Sequence, residues 1–153
     1  MQRLEPMNSR DRKELFSMIN GQWDAGFDSS DIFFRSSKDK VYMVSGSIRD
    51  FPFEKYRGDR IGLYFGTFQK AGFRLSVSGS QLIGPDAKRF VAVLDDCDFE
   101  KWVAGEDIPY EGEGGLYLIC NENHDFLGCG ILSKGRLLNH VPKSRRIRPS
   151  KQL

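Results

Sequence analysis

The sequence predicts an α+β fold: a small N-terminal α/β segment, then a mixed β barrel or sheet carrying one or two short helices. Two observations predict it. Beyond about residue 72, short apolar or alternating runs follow one another closely, separated by polar turns. Two other stretches instead space their apolar residues as a helix does, Leu15, Phe16 and Ile19 in one and Phe99, Trp102 and Val103 in the other. At 153 residues, 39% hydrophobic and 29% charged, the chain has ordinary globular composition.

Taken in order, Asn8 or Ser9 caps a first helix from about Arg10, and Gly21 is positioned to stop it. Asp31–Arg35 and Lys40–Ser45 read as strands joined by the polar turn Ser36–Asp39, a hairpin. Arg49–Gly58, with Pro52 and several charges, reads as a loop or irregular helix. Ile61–Phe68 is a strand whose Gly62 and Gly66 signal a bulge or a close backbone approach. Phe73–Val77 alternates as a half-buried strand, and Phe90–Leu94 is a continuous apolar one. Asp95 or Asp96 then caps the second helix, which Gly105 ends. Leu116–Cys120, Phe126–Leu132 and Arg136–His140 are three further strands, joined by turns at Asn121–Asp125 and Ser133–Gly135. A boundary near Gln69–Gly72 divides the chain into residues 1–70 and 71–153.

The net charge of +2 hides an asymmetry. Asp95–Asp125 holds ten acidic residues and one base, Lys101, whereas Phe126–Leu153 holds seven bases and no acid. A dipolar surface of this kind attracts polyanions at one end. No apolar run approaches the roughly 18 residues that span a bilayer. Met1–Arg12 lacks the apolar core of a signal peptide, and three irregularly spaced cysteines suit a reducing cytosol, so a cytoplasmic protein without membrane contact is expected.

Four patterns bear on chemistry. Cys120, His124, Cys129 and His140 are metal-ligand types, but no C-x2-C pair is present, and a strand cysteine is more often a small core residue. No metal is expected. Neither histidine has a context that fixes an orienting carboxylate, and no nucleophile motif occurs, so catalysis is not expected. Gly112–Gly115 leads into a strand and Gly128–Gly130 lies within one, whereas a nucleotide loop opens a helix, so no cofactor is expected. The fourth pattern is the stretch Lys134–Arg148. Its bases pair with phosphates, and interleaved Leu137, Leu138, Val141 and Ile147 anchor part of it to the body, which favours polyanion binding over a solvated tail.

The runs Gly115-Leu-Tyr-Leu-Ile-Cys, Asp125-Phe-Leu-Gly-Cys-Gly and Gly135-Arg-Leu-Leu-Asn-His-Val-Pro-Lys-Ser-Arg-Arg resemble the C-terminal PUA-like domain of the NOL/Nop/Sun (Fmu or RsmF-type) rRNA cytosine-5 methyltransferases. The resemblance extends upstream through Ser78-Gly-Ser-Gln-Leu-Ile-Gly-Pro and covers about Arg74 to Arg146, and small stand-alone archaeal proteins grouped with that family are similar. It implies a PUA-like pseudo-barrel that binds structured RNA, rRNA or tRNA, beside RNA modification or ribosome biogenesis. It does not imply methyl transfer, because the three cysteines lack the Pro-Cys and Thr-Cys contexts of the family's enzymes, and a methyltransferase acting in trans is the implied partner. The alternative is a protein-interaction subunit docking onto such an enzyme or a ribosomal protein. The resemblance places Lys134, Arg136, Asn139, Lys143, Arg145 and Arg146 on an RNA-facing surface, with His140 and Arg148 as further candidates. The residues themselves add Lys88 and Arg89, in the loop after Ile83-Gly-Pro, and Arg74.

Overall fold

The computed structural model describes residues 4–44 and 62–139. The expected loop Arg49–Gly58 lies outside them. Within them the fold is mixed α+β: two five-stranded sheets, one curled into a half-barrel, and three helices.

The first sheet is an antiparallel meander of β1 (Leu4–Pro6), β2 (Ile32–Ser36), β3 (Lys40–Val44), β4 (Leu63–Gln69) and β5 (Gly72–Leu75), in chain order. The β2–β3 hairpin forms as expected, and the Ser36 hydroxyl holds its turn by accepting from the amides of Lys38 and Lys40. Gly66 marks an irregularity in register, since Val41 faces Gly66 while Tyr42 faces Tyr64, which leaves Phe65 bulged. A side chain at Gly66 would collide with the Phe73 ring. The expected division at residue 70 falls in the turn between the paired strands β4 and β5.

Helix α1 (Ser9–Trp23) is capped by Asn8, whose side chain accepts from the Asp11 amide. It does not stop at Gly21. Burying Leu15, Ile19 and Trp23 on one stripe outweighs the roughly 1 kcal/mol that a helical glycine costs, and the chain turns off at Asp24 in left-handed geometry. The Trp23 indole N–H donates to the Leu116 carbonyl at 3.1 Å and ties α1 to the second sheet.

One expectation fails between Ser76 and Ile83. The strand ends at Leu75, and α2 (Val77–Ile83) follows. Ser76 both caps it, accepting from the Gly79 amide, and donates to the Tyr64 carbonyl. Inside α2, the buried Ser80 hydroxyl accepts from the Gly128 amide at 2.8 Å and donates to the Val77 carbonyl.

The second sheet contains β6 (Val91–Leu94), β7 (Ile108–Pro109), β8 (Gly115–Asn121), β9 (Phe126–Ser133) and β10 (Arg136–Asn139), in the spatial order β6-β8-β9-β10-β7. Only β6 and β8 are parallel among these, and α3 (Asp96–Val103) lies in the crossover between them. Asp95 caps α3 as expected. Trp102 sets one edge of its indole against β9: its N–H donates to the Leu127 carbonyl, and a Cβ on Gly130 would lie 2.6 Å from its ring. Gly130 therefore permits the close backbone approach that its place within a strand predicts.

One apolar cluster joins the two sheets. It includes Leu15, Ile19 and Trp23 of α1, Phe33, Phe65 and Phe73 of the first sheet, and Leu116, Leu118 and Cys129 of the second. A second cluster, around Trp102, Ile119 and Leu137, packs under α3. Among the described residues, no helix is long and apolar enough to cross a membrane.

Candidate nucleic-acid interface

Sheet register assigns each loop to one of two rims. At one rim β6, β8 and β10 begin and β9 and β7 end, because Gly115 faces Leu132 while Arg136 faces both Ser133 and Pro109. The Phe90 carbonyl accepts from the Leu118 amide as the chain enters β6. Lys88, Arg89, Lys134 and Arg136 all occupy this rim and are exposed. Strands lie about 4.8 Å apart, so the two basic pairs stand on the order of 10–15 Å from one another.

Local structure fixes how each is held. Lys134 and Gly135 form a two-residue hairpin turn with φ of 51° and 77°, a type I′ turn that projects Lys134 outward. Arg136, next in the chain, reaches the Asp107 carbonyl at 3.4 Å. The amides of Lys88 and Arg89 both donate to the Trp23 carbonyl. The Arg89 guanidinium donates to the carbonyls of Asn20 and Gly21, placing a cation at the C-terminus of α1, whose own last turn has no base. Arg89 is thus a helix cap as well as a surface charge.

Asn139 has a structural role too. Its side-chain amide donates to the carbonyls of Trp102 (2.7 Å) and Glu106 (3.0 Å), and its backbone N–H donates to the Asp107 carboxylate. It clamps the end of β10 to the segment leaving α3, at the opposite rim from Lys134. Arg74 does not join the basic group either. It lies half-buried on β5 opposite Thr67, and its charge acts on Cys129 in the middle of β9. His140, Lys143, Arg145, Arg146 and Arg148 lie outside the described residues.

The far rim is acidic. Asp95, Asp96 and Asp98 begin α3, Glu106 and Asp107 precede β7, and Glu122 and Asp125 flank the β8–β9 turn. The basic rim is not purely basic, since Glu111 and Glu113 lie in the loop between β7 and β8. That loop packs over Tyr117, one of three aromatic residues the sequence reading did not single out. Phe90 and Tyr110 flank Tyr117, with ring centroids 5.0 and 5.6 Å from it. The Tyr117 hydroxyl donates to the Glu113 carbonyl, and the Tyr110 amide donates to the Gly135 carbonyl. Burial, with smaller contributions from Tyr110 and Glu113, raises the Tyr117 pKa above its ordinary value. Phe90 has φ of 54°, a left-handed conformation that costs a bulky residue roughly 1–3 kcal/mol. The available signal was a Lys-Arg pair running directly into an aromatic residue.

Three of the four metal-ligand types lie among the described residues. Cys120 and Cys129 are buried in the shared core, His124 is exposed in the β8–β9 turn, and His140 is outside the described residues. Among the described residues no three His, Cys, Asp or Glu side chains are placed to hold a metal ion. Burial raises the Cys120 thiol and pushes Cys129 up to about 12, so both are protonated at neutral pH. The Cys129 shift has a consequence for stability. Unfolded, the thiol ionises near 9.0, while folded it holds its proton to about 12. The stability this group supplies is therefore complete below pH 9 and is lost as pH rises through that interval. Urea titrations from pH 8 to 11 are expected to show a decline that Cys129→Ala makes shallower. An equal decline in the variant assigns the effect to other groups.

Residues 89–147 match the family model of the methyltransferase RsmF PUA domain. The match agrees with the resemblance carried by the Leu-Gly-Cys-Gly and Gly-Arg-Leu-Leu-Asn runs, starting at Arg89 rather than Arg74. No curated protein matches the chain.

Proposed function

We propose, from a PUA domain of the RsmF methyltransferase type in residues 89–147, that this chain is a cytoplasmic RNA-binding protein. It binds structured rRNA or tRNA during RNA modification or ribosome biogenesis, and methyl transfer belongs to a partner acting in trans. The observation that carries this reading is the rim that collects Lys88, Arg89, Lys134 and Arg136, with an acidic rim at the other end of the same sheet. Phosphates gain counterion-release energy at the first and are repelled at the second, so the molecule orients itself on a polyanion. Lys143, Arg145, Arg146 and Arg148 add to the cationic end of the sequence, and His140 supplies a neutral hydrogen-bonding group.

The test is gel shift of a structured RNA over a range of salt. Lys88→Glu with Lys134→Glu is expected to weaken binding about 100-fold and lower the log-log salt slope by about 2. Reversing Lys143, Arg145 and Arg146 together is expected to abolish it. Wild-type affinity in both variants refutes the assignment.

The acidic rim favours a second reading, a docking subunit for a basic protein. Co-purification of a protein that persists after nuclease treatment supports it. Loss of every partner with nuclease removes it.

A further inference from the structure

We infer that the basic rim of the second sheet takes unpaired nucleobases, stacked on the outer Phe90 and Tyr110 rings between Lys88 and Lys134. This rests on the RNA-binding reading above and names the part of the nucleic acid that the rim takes. Three observations carry it.

The first is continuity. Phe90, Tyr117 and Tyr110 form an unbroken run of ring contacts along the rim. Tyr117 is buried in the middle, whereas Phe90 and Tyr110 at its two ends are only partly buried. The two outer aromatic residues therefore keep part of their surface facing solvent. Sequence-tolerant stacking of single-stranded bases uses such surface.

The second is the position of charge. Lys88 stands two residues before Phe90, and Lys134 sits in the turn whose Gly135 carbonyl accepts from the Tyr110 amide. Each outer ring thus has an exposed lysine beside it. Between them, in the loop over Tyr117, lie Glu111 and Glu113. Carboxylates in the middle of the rim oppose a continuous track of phosphates. They suit a base, whose exocyclic amino groups donate to carboxylate oxygens. The pattern is cation, ring, carboxylate, ring, cation, in which phosphates engage the ends and bases engage the two outer rings beside the carboxylates.

The third is the backbone. Phe90 is held in left-handed geometry at the entry to β6, and its ring lies over Gly115, where a Cβ would stand 3.2 Å from it. A residue without a ring, or glycine, would meet that backbone requirement more easily. The ring stands there in edge contact with Tyr117, in the matched segment 89–147.

Fluorescence anisotropy with a labelled mixed-sequence oligoribonucleotide of about ten nucleotides tests this, beside the same strand carrying abasic sites at its centre. Wild-type protein is expected to bind the base-bearing strand about 5- to 100-fold more tightly than the abasic strand. Tyr110→Leu is expected to lower that preference, while Tyr110→Phe, which keeps the ring, retains it. Lys88→Glu with Lys134→Glu weakens both strands alike. Equal wild-type affinity for the two strands overturns the stacking site, as does a full preference in Tyr110→Leu. In either case a salt-dependent affinity that the lysine variants lose leaves the RNA-binding reading standing. Wild-type protein that retains no RNA at any salt overturns both.

Discussion

Trp23→Ala is expected to lower the stability of the whole chain by about 3–5 kcal/mol, the usual cost of emptying a fully buried tryptophan site. Trp23 has no exposed surface, packs in the cluster that joins both sheets, and donates to the Leu116 carbonyl. Alanine leaves a cavity and an orphaned acceptor at the start of β8 together. At this chain length the melting temperature should fall by roughly 10 °C. The chain has two tryptophans, so in the variant all indole fluorescence comes from Trp102, under α3 in the second sheet. If the shared cluster makes folding one event, Trp102 fluorescence and far-UV circular dichroism will report the same lowered midpoint. A Trp102 transition left at the wild-type temperature would mean that residues 71–153 fold apart from 1–70.

The second large effect is a glycine-to-alanine exchange whose sign runs against helix propensity. Propensity alone predicts that Gly79→Ala within α2 stabilises by about 1 kcal/mol. The structure predicts the reverse, a loss of about 3 kcal/mol, because the new methyl would drive into the Phe65 carbonyl oxygen, a backbone atom that cannot rotate aside. The displaced helix would also draw Ser80 from the Gly128 amide, leaving a buried donor unpaired. Gly21→Ala in α1 is the internal comparison. Nothing lies within 4 Å of a Cβ there, so it is expected to stabilise by about 0.5–1 kcal/mol. Thermal melts of the two variants should move in opposite directions. A shift of the same sign in both would mean that α2 does not pack against β4 as described.

Packing between distant segments separates the parts of the fold that were legible from those that were not. The β2–β3 hairpin, α3, β8, β9 and β10 follow from residues close in the chain: a polar turn, an acidic cap, alternating apolar positions. α2 did not. Its seven residues carry no apolar stripe long enough to read, and it is held by Ser76 and by the fit of Gly79 against a strand. β1 and β7, of three and two residues, exist because a partner strand pairs with them. The site divides the same way. Lys88 and Lys134 read as exposed charge because only their own loops decide it. Arg89 and Asn139 acquired structural partners 68 and 37 residues away, among others, which local spacing does not reveal. Phe90, Tyr110 and Tyr117 meet only once the strand order brings their three segments to one rim.

The unequal exposure of the three cysteines has a practical consequence. Cys97 stands in solvent on α3, while Cys120 and Cys129 are sealed in the shared core. A maleimide dye added to the native chain should therefore attach at one position, beside the carboxylates of α3 and far from the lysines that would meet RNA. Slower alkylation of the other two would clock the rate at which the core opens, giving a built-in gauge of breathing without any engineered label.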